Sequence, residues 1–151
     1  MIQLLLVINL LLSAYSSEPA PNIKFETIDG KAGQLNTYKG KVVYLSVWAS
    51  WCTPCLENYE KYESIREQLA KEGVILLNVS IDKNPELWKK TVARHSTING
   101  INVLSSDIPE LMRNYSISKV PEYHIIDKTG HFVYLSDTPG RDIISEFKKW
   151  L

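Results

Sequence analysis

The chain has 151 residues, and its 17 basic and 17 acidic side chains cancel to a formal net charge of zero. No excess of cations is available to neutralise a phosphate backbone, so nucleic acid is not expected as a partner. Hydrophobic residues at 44% and charged residues at 23% fit one globular domain and not a disordered chain, and two cysteines are too few for a disulfide-built miniature.

The chain opens on an apolar run, Ile2 to Leu12. It is too short to cross ~30 Å of hydrocarbon comfortably. It matches the apolar core of a secretory signal, and Ala14-Tyr15-Ser16 offers small residues where a signal peptidase cuts. No Lys or Arg precedes the run, which departs from the usual signal pattern. The competing reading is a buried element of a longer chain. Residues 1–17 are expected to be a signal peptide or membrane anchor, and 18–151 the domain, which makes the expected location periplasmic or membrane-anchored. Ser16 to Pro21 reads as a linker.

Ile23 to Thr27 and Gln34-Leu35 flank an Asp29-Gly30 turn signal and predict a short hairpin. Val42 to Trp48 is apolar, β-branched or aromatic almost throughout, as a strand buried on both faces requires. Leu56, Tyr59, Tyr62, Ile65 and Leu69 form a helical stripe that Gly73 stops. Val74 to Ile81 is a second buried strand. Asn84 and Pro85 have the cap-then-proline form of a helix start, and the helix runs through Leu87, Trp88 and Val92. Ile101 to Leu104 predicts a strand, and Ile108 to Tyr115 a short helix. Glu122 to Ile126 and Phe132 to Leu135 are strands around Asp127-Lys128-Thr129-Gly130, and Ile143 to Leu151 closes the chain as a helix. Strands alternating with helices predict a parallel core sheet, with the last hairpin adding antiparallel strands at one side.

The chemistry sits at Cys52-Thr53-Pro54-Cys55, between a buried strand and a helix. The unpaired N–H groups of a helix start favour a thiolate, so a pair placed there can fall from the ordinary pKa of about 8.5 to ~3.5–7. Pro54 suits the first turn, where a missing N–H costs little. An inert disulfide would usually close a longer loop. Zinc needs about four ligands, and the remaining candidates, His95, His124 and His131, lie far downstream with no second cysteine pair, so no metal is expected. A peroxide-reducing cysteine would want Thr or Ser three residues ahead, where Ala49 precedes Cys52.

From Ala20 to Leu151 the sequence resembles the thioredoxin-like superfamily, and within it the exported TlpA/ResA-like thiol–disulfide oxidoreductases. The likeness rests on Ala20-Pro21-Asn22-Ile23-Lys24-Phe25, Asp29-Gly30-Lys31, Lys39-Gly40-Lys41-Val42-Val43, Trp48-Ala49-Ser50-Trp51-Cys52-Thr53-Pro54-Cys55, Val120-Pro121 and Ile126-Asp127-Lys128-Thr129-Gly130. It implies an α/β thioredoxin-like fold: a central mixed sheet flanked by helices, an N-terminal β-hairpin, and a helix-bearing insertion around Ser80-Ile81-Asp82-Lys83 and Trp88-Lys89-Lys90. It implies Cys52 as the exposed attacking cysteine and Cys55 as the buried resolving one, joined as a redox-active disulfide. Pro121 matches the family's cis-proline. Val120 would pair its backbone with a bound peptide, and Trp51, Thr53 and Pro54 would line the site, with Trp48 a wall or a core residue. The implied partners are protein thiols or disulfides and an upstream redox protein, without a cofactor.

Two positions depart from the family. Thioredoxin carries a buried Asp six residues before its first cysteine, thought to handle the resolving cysteine's proton; here that position is Ser46. Asp82 is the candidate replacement. Glu122 stands where Thr often follows the cis-proline and is a candidate to tune the thiol by its charge. The three histidines are expected at surface or half-buried positions without a role. The rival functions are a redox-silent binding module that uses the cis-proline groove, and a thiol peroxidase.

Overall fold

The computed structural model describes residues 18–136 and 143–151; the expected leader at 1–17 lies outside them. One sheet holds β1 (Lys24–Thr27), β2 (Ala32–Gln34), β3 (Val43–Trp48), β4 (Ile75–Ser80), β5 (Ile101–Ser105), β6 (Glu122–Ile126) and β7 (Phe132–Ser136). The helices are α1 (Thr53–Lys61), α2 (Glu63–Lys71), α3 (Pro85–Arg94), α4 (Ile108–Asn114) and α5 (Ile143–Lys148). In space the strands run β2-β1-β5-β4-β3-β6-β7. The centre, β3 with β4 and β4 with β5, is parallel, and both margins are antiparallel. All six residues of β3 are buried, as a strand covered on both faces must be.

The N-terminal hairpin forms as expected, and β1 pairs with β5. The helix-bearing insertion contributes more than its helix. After α3 the chain returns as β5, which slots between β1 and β4 and widens the sheet. Asn84 caps α3 by accepting from the N–H groups of Glu86 and Leu87 at 3.0 and 3.1 Å, and Trp88 on its inner face is fully buried.

The stripe from Leu56 to Leu69 predicts one helix; two are found, meeting at Tyr62, whose ψ of 16° departs from the helical value. The Tyr62 N–H still bonds Asn58 O and the Arg66 N–H bonds Tyr62 O, both at 3.0 Å, so the path bends without breaking. Beyond the bend Arg66, not Ile65, is the side chain turned fully inward.

Alternation along the strands sorts the faces. Tyr123 of β6 accepts from Asn58 of α1, and Arg66 of α2 reaches Ser46 of β3, so α1 and α2 cover one face. Glu122 and His124 point to the other, where the His124 ring meets Tyr115 just past α4. The Asp127–Gly130 turn is pinned by Asp127 Oδ1, which accepts from the Thr129 N–H, the Thr129 hydroxyl and the His131 N–H.

Candidate active site

Strand β3 ends at Trp48 in the middle of the sheet, and four residues later Cys52 stands at the start of α1. Cys52 is the N-cap, and its sulfur accepts the Cys55 N–H at 3.3 Å. One of the helix's orphan donors is thereby aimed at sulfur, and the positive end of the helix adds to it. The two sulfurs are bonded at 2.10 Å with the Cα atoms 5.3 Å apart. Cys55 is wholly covered and Cys52 keeps 4% of its surface, so Cys52 is nearly covered in this oxidised state, more than the resemblance implies. Trp51 is 63% exposed beside it, and Thr53 and Pro54 are also exposed. Trp48 belongs to the core: it is 1% exposed and meets Tyr59 edge to face at 5.6 Å.

The loop before Cys52 is tied down by Asp82, which is 3% exposed. Its Oδ2 accepts from the Ser50 N–H at 2.9 Å and the Ser80 hydroxyl at 2.6 Å, and its Oδ1 accepts from the Ser50 hydroxyl at 2.6 Å. The carboxylate therefore bridges the end of β4 to a residue two places before Cys52.

Glu122 pairs across the sheet with Val47, which brings Val120 and Pro121 to the same sheet end as the cysteines. The Val120–Pro121 bond is cis. The Glu122 carboxylate lies 3.2 Å from His124 Nε2, on the face of β6 away from α1. His124 is 3% exposed, a correction to the expectation of a surface or half-buried histidine. Burial pushes its pKa down to about 4, so the ring is neutral at pH 7. Its neighbours Tyr115 and Phe132 are aromatic.

Ser46 is buried and accepts from Arg66 Nη1 at 3.3 Å. Arg66 is 2% exposed. Neither its burial nor Ser50's bond to Asp82 is legible in the sequence: Arg66 stands four residues past Tyr62 and three before Leu69, on the inward helical face, but an arginine is normally solvated and its polar partners come from elements distant in the chain. Among the described residues no group of three His, Cys, Asp or Glu side chains is placed to hold a metal ion.

A mixed sheet of this order, with a cysteine pair capping a central helix and a cis-proline at the same sheet end, defines a thioredoxin-like domain. The AhpC/TSA family model matches residues 17–146, and the chain belongs to that family. The chain is similar to the thiol–disulfide oxidoreductase ResA of Bacillus subtilis, 28% identical over 117 residues that cover 76% of this chain and 63% of ResA. The thioredoxin-like protein YneN of the same organism is 27% identical over 114 residues, covering 75% of this chain and 66% of YneN. The aligned stretch spans about 65% of the ResA of Bacillus thuringiensis, less than two-thirds of that relative. Among solved structures, the thioredoxin domain of a thiol–disulfide oxidoreductase from Bacteroides vulgatus superposes with a TM-score of 0.77 at 24% identity, covering 88% of this chain and 95% of that one. A thiol:disulfide interchange protein from Bacteroides sp. gives 0.79 at 24% identity, with 91% of each chain covered. These two likenesses establish the fold.

Proposed function

We propose that the protein is a thiol–disulfide oxidoreductase acting on protein thiols or disulfides, and that an upstream redox protein resets it. The observation that carries this reading is the sulfur pair at the α1 N-cap, where Cys52 accepts a helix N–H. In the reduced protein the Cys52 thiolate attacks one sulfur of a partner disulfide, which forms the Cys52–partner bond and expels the other partner sulfur as a thiolate. The Cys55 thiolate then attacks Cys52, which closes the Cys52–Cys55 bond and releases the second partner thiolate. The pair has lost two electrons, the partner has gained them, and both expelled thiolates take protons from water. The reverse sequence oxidises a dithiol.

Val120 and Pro121 at the sheet end support strand-like docking of the partner's backbone, with Trp51, Thr53 and Pro54 forming the exposed rim around the pair. For Asp82, its bonds to Ser50 and Ser80 support anchoring of the cysteine loop, with proton transfer as the competing role. The apolar run at Ile2–Leu12 supports export, with residues 1–17 removed near Ser16 or kept as an anchor. Among the described residues no helix is long and apolar enough to cross a membrane.

The test is turnover of insulin disulfides with dithiothreitol, run beside a Cys55→Ser variant that should hold a stable mixed disulfide through Cys52. In the reduced protein near pH 7 iodoacetamide should label Cys52 far faster than Cys55. Equal labelling rates, or no insulin reduction, overturn the proposal, and peroxide consumption in place of insulin turnover favours the peroxidase.

A further inference from the structure

Arg66 is a buried guanidinium whose partners are all neutral. Nε donates to Asn99 Oδ1 at 3.1 Å, Nη1 to Ser46 Oγ at 3.3 Å, and Nη2 to Asn78 Oδ1 at 2.9 Å and the Asn99 carbonyl at 2.8 Å. Its faces lie against rings: the Tyr59 centroid is 4.7 Å away and the Tyr44 centroid 5.6 Å. No carboxylate among the described residues pairs with it. The phenols around it stay neutral at pH 7, since burial raises Tyr59 far above its ordinary value and Tyr123 to about 12. A full positive charge therefore stands uncompensated under α1.

Its position relative to the cysteines follows from the helix. Cys55 and Tyr59 are the buried residues of α1, one turn apart, about 6 Å along the axis. With the guanidinium against the Tyr59 ring, the charge lies on the order of 10 Å from Cys55. Full burial pushes a thiol pKa up, and Ser46 cannot take the proton at neutral pH. The carboxylate of Asp82, bonded to Ser50 two residues before Cys52, also opposes ionisation.

We infer that Arg66 is a positioning charge for disulfide exchange: its field eases the ionisation of Cys55 for the resolving step in place of a proton-accepting carboxylate at position 46. This rests on the proposed oxidoreductase reading. In the step it serves, the Cys55 thiolate attacks Cys52, the Cys52–partner bond breaks, and the partner leaves as a thiolate. The proton Cys55 gave up beforehand has gone to water.

At about 10 Å and an effective dielectric of ~20, the charge shifts a thiol by about one pKa unit. The test titrates Cys55 by the 13C shift of labelled cysteine in the Cys52→Ser full-length chain, where it is the remaining thiol. Arg66→Gln keeps part of the hydrogen-bonding capacity and Arg66→Met keeps none, but both remove the charge. Both should raise the Cys55 pKa by about one unit. No shift, a fall, or a shift in one variant alone overturns the inference. If neither variant folds, the Cys52→Ser protein decides by itself: Cys55 should titrate at or below the ordinary thiol value of about 8.5 despite its burial, and a clearly higher value overturns the inference. The titration needs no protein substrate, so a failure of insulin turnover sinks the oxidoreductase reading while leaving the field effect separately measurable.

Discussion

Replacing Asp82 separates an anchor from a base. Its two oxygens serve three donors, the Ser50 N–H, the Ser50 hydroxyl and the Ser80 hydroxyl. In Asp82→Asn the amide oxygen can take the Oδ2 site, where it keeps the Ser50 N–H and the Ser80 hydroxyl. The amide nitrogen then faces the Ser50 hydroxyl, which can rotate to accept. All partners stay satisfied, so the expected loss is about 1 kcal/mol, the difference between charge-assisted and neutral bonds. In Asp82→Ala the Ser50 N–H loses its acceptor, and a backbone donor cannot rotate away. Leaving buried donors unpaired costs about 1–3 kcal/mol each, and the hydroxyls recover part of it, so about 2–4 kcal/mol is expected overall. Urea melts of the oxidised protein measure both variants. Insulin turnover between pH 6 and 9 reads the function: an anchor predicts that the Asn variant stays within about twofold of wild type with an unchanged pH profile. A tenfold loss in the Asn variant with a displaced profile would make Asp82 a base, and equal destabilisation by Asn and Ala would refute the hydrogen-bond reasoning.

Truncating Trp88, the fully buried residue of α3, should cost about 3–5 kcal/mol in Trp88→Ala, read from the urea midpoint. His124 has a folded pKa of about 4 against an ordinary 6.5, so the unfolded chain binds more protons between those values and stability falls as pH drops through that window. Between pH 7 and 5 the loss is about 2 kcal/mol for this group, and His124→Phe, suited to its aromatic surroundings, should remove that part of the slope; an identical slope in the variant refutes the assignment. Because its carboxylate lies by His124 on the face away from α1, Glu122→Thr should shift the Cys52 pKa by less than about half a unit. A larger shift, followed by thiolate absorbance, would show that its charge reaches the sulfurs. Gly100 has φ of +103° and an added Cβ would stand 2.6 Å from the Leu76 carbonyl oxygen, so Gly100→Ala should destabilise by about 1–3 kcal/mol in the same melts.

Local chemistry settles a large part of this protein without any knowledge of its tertiary contacts. A run that is apolar, β-branched or aromatic at all but Ser46 permits little besides a buried strand at β3, and Asn84-Pro85 starts a helix because the cap and the fixed proline φ act within a few residues. The cysteine pair is legible for the same reason, since its chemistry depends on two sulfurs three residues apart at a helix start. What depends on elements distant in the chain is not legible. The apolar stripe cannot report the bend at Tyr62, and counting apolar residues alone selects Ile65 where the fold buries Arg66, whose polar partners Ser46, Asn78 and Asn99 come from distant parts of the chain. Periodicity gives the strand at Ile101 but not its place between β1 and β4, which only pairing decides. Ser46 reads as a missing acid and His124 as an idle histidine until β3, β6 and α2 are brought together. The partner of a buried polar group is chosen by whichever neighbour the packing delivers within about 3 Å, and no local pattern carries that information.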